Sequence, residues 1–170
     1  MKNMMDVSKR IESLEAISAI KDLKFKYWKA CDAKKPMTVL ECFHLDKVEI
    51  DFEDFGFFHS AQDMVDKYKI NSCHDHLIEK HAGKNPVISL LSNNEANGFW
   101  AMSYNLIDTK KKFRLDIQGN YKDLYLRNDN GDWLIKESKF IKTSTFYRSL
   151  SSHYCSQPRI TRSLGYKNTV

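Results

Sequence analysis

The chain reads as α+β: a curved antiparallel sheet closed by N-terminal helices, in the order α-α-β-β-α-β-β-β-β. Three observations predict it. One long helical periodicity opens the chain, long alternating segments joined by short turns close it, and no strand-helix-strand alternation links the two halves.

Residues 8–31 carry Ile11, Leu14, Ile17, Ile20, Leu23, Tyr27 and Cys31 every three or four positions, while Glu12, Glu15, Lys21, Lys24 and Lys29 fall on the other face. That is an amphipathic helix, with Asp6 or Ser8 able to cap its start. Ala33-Lys34-Lys35-Pro36 ends it, because the position before a proline disfavours helical geometry. Met37–Phe43 forms a short second helix, Val48–Phe52 a strand, and Phe55–Phe58 its hairpin return. Ser60 followed by Asp63 marks the start of a helix containing Met64, Val65 and Tyr68. From Pro86 the pattern turns to strands. Pro86–Leu91, Ala96–Ile107, Phe113–Arg127 and Trp133–Phe146 are separated by turn-forming Asn93-Asn94, Lys110-Lys111-Lys112 and Asn128-Asp129-Asn130-Gly131. A long antiparallel sheet covered by helices on one face curves and encloses an apolar cavity. Trp28, Phe52, Phe58, Trp100, Tyr121, Tyr125, Phe140 and Phe146 are the candidates for its wall.

At 170 residues the whole chain, 1–170, fits one domain, with residues 1–7 a flexible N-terminus and 150–170 a basic C-terminal tail. No apolar run approaches the roughly 18 residues that cross a bilayer, and the start carries no apolar signal core, so a cytoplasmic protein is expected, without a membrane partner. Cys31, Cys42, Cys73 and Cys155 form no CxxC pair and read as reduced thiols. Of the 27 Lys and Arg, six follow Glu137, the last acidic residue, which leaves 21 against 22 acidic groups before it. The net charge of +5 therefore belongs to the last strand and tail. It forms no dense basic stripe with interleaved aromatics, so no nucleic-acid partner is expected. His74-Asp75-His76 fixes no third ligand by spacing and reads as a polar connecting segment; no metal is expected. Nucleotide, P-loop, serine-hydrolase and zincin motifs do not occur.

A phenol at Tyr27, a carboxylate at Asp32 and an imidazole at His81, delivered to one apolar cavity, would make a proton-transfer site. Several local sequences carry a wider likeness. They are Ala19–Tyr27 with Asp32 five residues on, Phe58-His59-Ser60, His81-Ala82-Gly83 followed by Pro86, and Gly98-Phe99-Trp100. The Tyr125-to-Trp133 hairpin, Glu137-Ser138 and, loosely, Gln157-Pro158-Arg159-Ile160 extend it. Over residues 11–165 the chain resembles the SnoaL-like branch of the nuclear-transport-factor-2-like cone folds. That branch includes scytalone dehydratases, polyketide cyclases, ketosteroid isomerases and, with the closest likeness, bile acid 7-alpha-dehydratases.

The resemblance implies functional positions at Tyr27, Asp32 and His81, chemistry without metal or nucleotide cofactor, and a homo-oligomer, dimer or trimer, paired through the open sheet face. It also shows two departures. Tyr104 stands where the pattern has an aspartate that partners the histidine, and Lys142 where it has an arginine. A phenol does not supply a carboxylate's charge, and lysine keeps charge without the planar fork. The resulting expectation is a cofactor-free acid–base lyase or isomerase, dehydratase-like, acting on a hydrophobic, ring-containing small molecule such as a steroid- or polyketide-like compound. His81 would be the base, Tyr27 the acid or oxyanion donor and Asp32 the orienter. Tyr104, Lys142, Trp28, Phe58, Trp100, Tyr121 and Phe140 would line the pocket. The alternative is a non-catalytic binding or assembly module of the same fold, in which Tyr104 and Lys142 mark lost catalysis.

Overall fold

A computed structural model describes residues 2–45 and 48–150. Helix α1 (Lys2–Asp32) leads into α2 (Pro36–Leu40), then strand β1 (Glu49–Asp51), a single 3-10 turn (Glu53–Phe55) and strand β2 (Phe57–Phe58). Helix α3 (Ala61–Ser72) follows, and four long strands complete the fold: β3 (Leu77–Leu90), β4 (Glu95–Asp108), β5 (Phe113–Arg127) and β6 (Trp133–Ser149). The six strands form one open sheet, β2-β1-β6-β5-β4-β3. All neighbours are antiparallel except β1 and β6, which run parallel with Ile50 beside Ser138. The α+β cone order expected from the pattern is the order observed. Among the described residues, no helix is long and apolar enough to cross a membrane.

Three local boundaries differ from expectation. The first helix starts at Lys2, ahead of the expected residue 8. The second helix stops at Leu40, since the chain then bridges to β6 beside Phe43: the Cys42 carbonyl accepts the Ile135 N–H and the His44 N–H donates to the Ile135 carbonyl. Strand β3, the first of the four long strands, begins at Leu77, nine residues before Pro86. Pro86 sits at a bulge between Lys84 and Val87, beside Asn85 with φ 48°, where its missing N–H leaves no gap in the ladder. The basic tail beyond Leu150, including Cys155 and Gln157–Ile160, lies outside the described residues.

The core lies between α1 and the sheet. The inward stripe of α1 is Ala16, Ile20, Lys24, Tyr27 and Cys31, whereas Ile11 and Leu14 are 50% and 67% exposed. Lys24, expected on the solvent face, is 0% exposed. It lies one turn after Ile20 and one before Trp28, so helical geometry carries it into the core whatever its charge. Trp28 stacks edge-on against Trp100 and lies over Gly83, where an added Cβ would come within 1.9 Å of its ring. Glycine on β3 is thus what lets the helix settle onto the sheet.

Candidate functional site

The C-terminal end of α1 builds the site. Lys34 adopts φ 55°, its N–H bonding the Cys31 carbonyl while that of Lys35 bonds Ala30. This left-handed step reverses the chain, a geometry usually taken by glycine. Asp32 before the step and Lys34 after it both reach strand β3. Asp32 Oδ1 accepts the backbone N–H of His81 at 2.9 Å and lies 2.7 Å from His81 Nδ1. Lys34 Nζ donates to the Ser72 carbonyl at 2.6 Å and to Glu79 Oε2 at 3.1 Å. A carboxylate can only accept, so Nδ1 carries the proton in this contact and Nε2 is the nitrogen a ligand can meet.

His81 and Glu79 project from the same face of β3 into a cavity of about 380 Å³ between the helices and the sheet. Tyr27 and Cys31 of α1, Met64 and Tyr68 of α3, Met102 and Tyr104 of β4, Leu115, Ile117 and Tyr121 of β5, and Phe140 and Lys142 of β6 also line it, with the 3-10 turn at its mouth. The wall is mainly apolar, with a polar patch at His81, Glu79 and Tyr104. The rings of His81 and Tyr104 lie 4.8 Å apart, and the Tyr104 hydroxyl donates to Glu79 Oε1 at 2.6 Å. Burial, with the Glu79 charge beside it, pushes the Tyr104 phenol far above its ordinary value. Tyr104 is therefore a hydrogen-bonding group here and a poor proton source.

Burial likewise pushes Tyr27 and Tyr121 up. Cys31 is raised by the same cause, which leaves its thiol unreactive. Beneath Tyr121 lies a second polar cluster. Lys24 Nζ sits 3.9 Å from the Tyr121 ring centre and 2.8 Å from Asp123 Oδ2, both charged side chains fully buried. Asp123 also accepts the Tyr125 hydroxyl at 2.6 Å and Ser138 Oγ at 2.7 Å, and Trp100 Nε1 donates to the Tyr125 oxygen at 3.0 Å. Burial pulls the Lys24 ammonium down, partly opposed by Asp123.

The positions expected from the sequence divide. Tyr27, His81, Tyr104, Tyr121, Phe140, Lys142 and Phe52 line the cavity, and Asp32 stands behind His81. Trp28, Phe58 and Trp100 do not line it. Trp28 and Trp100 fill the core above Gly83, and Phe58 packs on Phe55 under Lys67. Tyr125 is buried in the Asp123 cluster, and Phe146 is 55% exposed on the far half of β6. His74 bonds the Ile70 carbonyl and stacks on His76 in the turn between α3 and β3. Glu79 and Lys24 were not anticipated. Alternation from Leu77 through Glu79 to His81 is the signal that places Glu79 on the histidine's face.

A cone of sheet and helix holding a carboxylate–imidazole pair at a mainly apolar cavity defines a class of small-molecule pocket proteins. The SnoaL-like domain family matches residues 12–139, and the chain belongs to it. Among solved structures it is similar to a hexachlorocyclohexane dehydrochlorinase, LinA type 2, at TM-score 0.75 and 18% identity, over 89% of this chain and 99% of that one. LinA type 3 from Novosphingobium barchaimii gives 0.71 and 18%, over 88% and 99%. A candidate scytalone dehydratase from Novosphingobium aromaticivorans gives 0.73 and 19%, over 87% and 99%. At these identities the likeness is one of fold.

Proposed function

We propose that the chain is a cofactor-free acid–base lyase that removes a proton from an activated C–H of a hydrophobic ring compound and expels a group from the adjacent carbon. The observation that carries this is the 2.7 Å Asp32–His81 contact on the wall of the cavity, with Nε2 left for the ligand. In the reaction Nε2 takes the proton, and the charge of Asp32 stabilises the imidazolium that forms. The electron pair moves into an enolate, whose oxygen takes hydrogen bonds from Tyr27 and Tyr121. Their raised values suit them to donate such bonds without losing the proton. The imidazolium then returns its proton to the departing hydroxyl on the same face, which leaves as water and resets the base. A halide leaving group would need no proton. The similar structures, a candidate scytalone dehydratase and a hexachlorocyclohexane dehydrochlorinase, are named for two such eliminations.

A homo-oligomer is part of the proposal, by analogy with cone folds that pair through the open sheet. Val87 and Phe99, opposite each other on β3 and β4, are both exposed, which supports that face as the contact.

The test uses a bicyclic β-hydroxy ketone that aromatises on dehydration to a fluorescent naphthol, incubated in deuterated water. The wild-type chain should exchange the proton next to the carbonyl and release naphthol, and His81→Ala should abolish both while the fold is retained. Exchange and release unaffected by His81→Ala would overturn the assignment.

A further inference from the structure

Taking the cavity as the binding site proposed above, its charges define which ligands it admits. Among the described residues that line it, three carboxylates, Glu53, Asp54 and Glu79, accompany a single lysine, Lys142. That lysine is already committed. Its ammonium is held by Asp54 and lies 4.0 Å from Glu53 Oε2, and its backbone N–H bonds Glu53 Oε1 at 3.0 Å. The second nearby cation, Lys34, approaches Glu79 from the α3 side, tied to Ser72 and Glu79, and does not line the cavity. Asp32 stands behind His81 as a further carboxylate, itself paired on its outer oxygen with the exposed Lys80 ammonium at 3.2 Å.

An anionic ligand would meet Glu79, whose side chain is only 5% exposed, while the described lysines around the cavity, Lys24, Lys34, Lys80 and Lys142, are each already paired with a carboxylate. In a space this apolar such a pairing is repelled and poorly hydrated. A hydroxyl has the opposite fate. Each Glu79 oxygen accepts one bond from Tyr104 or Lys34, and a carboxylate has about four acceptor sites, so ligand O–H groups can still donate to it.

We infer that the cavity takes a neutral, hydroxyl-bearing ring compound and excludes carboxylate or sulfonate counterparts, and that Glu79 is the residue that sets this discrimination. Lys142 closes the mouth by its link to the 3-10 turn and does not clamp an acidic ligand.

A matched pair of fluorescent probes tests it on the full chain: N-phenylnaphthylamine, neutral, and anilinonaphthalenesulfonate, the same rings with a sulfonate. The neutral probe should bind at least about tenfold more tightly. Glu79→Gln should raise sulfonate affinity and shrink that ratio at least about threefold, because the repelling charge is gone while a side-chain acceptor remains. Should Glu79→Gln not fold, Glu53→Gln with Asp54→Asn tests the same exclusion at the mouth, where a reduced ratio is also expected. Equal or tighter sulfonate binding by the wild type, or a ratio unchanged in the variant that folds, overturns the inference. If that occurs while proton exchange still depends on His81, only the ligand class falls. If neither probe binds, the binding cavity falls and the ligand class with it.

Discussion

Replacing Lys24 by Met is the sharpest test of how the floor of the cavity is held. Lys24 Nζ and Asp123 Oδ2 are 2.8 Å apart with both side chains fully buried. Methionine keeps most of the stem's volume, so the loss is chiefly electrostatic. Removing one partner of such a pair typically costs about 3–5 kcal/mol, because the remaining charge stays buried. Here Asp123 keeps hydrogen bonds from Tyr125 and Ser138, one on each oxygen, which places the expected loss at the lower end, about 3 kcal/mol. At roughly 2–4 °C per kcal/mol for a domain of this size, the melting temperature should fall by about 6–12 °C. Urea unfolding of the wild type, Lys24→Met, Asp123→Asn and the double variant closes a cycle. The double variant should lose at least about 2 kcal/mol less than the sum of the singles, since neither charge is then stranded. Additivity within about 0.5 kcal/mol would refute the pairing, as would a single-variant cost below about 1 kcal/mol.

Gly83→Ala forces a Cβ into the Trp28 ring and should cost about 1–3 kcal/mol, read by denaturant midpoint, with a blue or red shift of tryptophan emission as the ring is displaced. Asp32→Asn can keep both hydrogen bonds to His81 but removes the charge that stabilises the imidazolium; proton exchange should fall by about 10²–10⁴ with little change in melting temperature. In alkali, Tyr27, Tyr104, Tyr121 and Tyr125 have folded values raised by burial, against about 10 in the unfolded chain. Their contribution is complete below about pH 10 and is lost as pH rises toward the folded values. Lys24, lowered by burial, acts with the opposite sign but is one group against these four and Tyr68, which burial raises likewise. Phenolate absorbance and loss of near-ultraviolet dichroism should therefore rise in one cooperative step above about pH 10, and gradual ionisation of these tyrosines without unfolding would contradict their burial.

The order of elements was legible because the four long strands are separated by turn-forming clusters and the opening helix is continuous. What was not legible has physical causes. Strand β3 was read nine residues short because Glu79, Lys80, His81 and Lys84 dilute its alternation, and Pro86 mimics a strand start while occupying a bulge. Glu79 was lost with that segment. Lys24 obeys the helical period of the buried face, but a lone lysine signals a core position only when its partner is known, and Asp123 lies on a distant strand. Trp28 and Trp100 belong to the inward faces of their elements, as expected for cavity wall. Periodicity reports the face and not the depth, and the absence of a side chain at Gly83 lets the two rings fill the space a ligand would need. Lys142 was expected to line the pocket and keep the positive charge, and only the fold reveals the two acidic residues of the 3-10 turn beside it.

One local feature joins these parts. The left-handed step at Lys34 sends Asp32 to His81 and Lys34 to Glu79, so the carboxylate beside the imidazole and the ammonium that neutralises part of the wall charge come from the same reversal. His81 and Glu79 are two positions apart on one strand face, a rigid spacing set by the pleat. The imidazole and the Glu79 carboxylate are therefore held at fixed separation by β3, each with its partner from one helix end. The aspartate that the sequence resemblance leads one to expect at position 104 is not needed for the Asp32–His81 contact. Asp32 already occupies Nδ1, and a second carboxylate at position 104 would stand against Glu79, adding repulsion where Tyr104 instead supplies a hydrogen bond. Tyrosine at 104 is thus coupled to glutamate at 79: the phenol removes one charge from the wall and spends its proton satisfying the other.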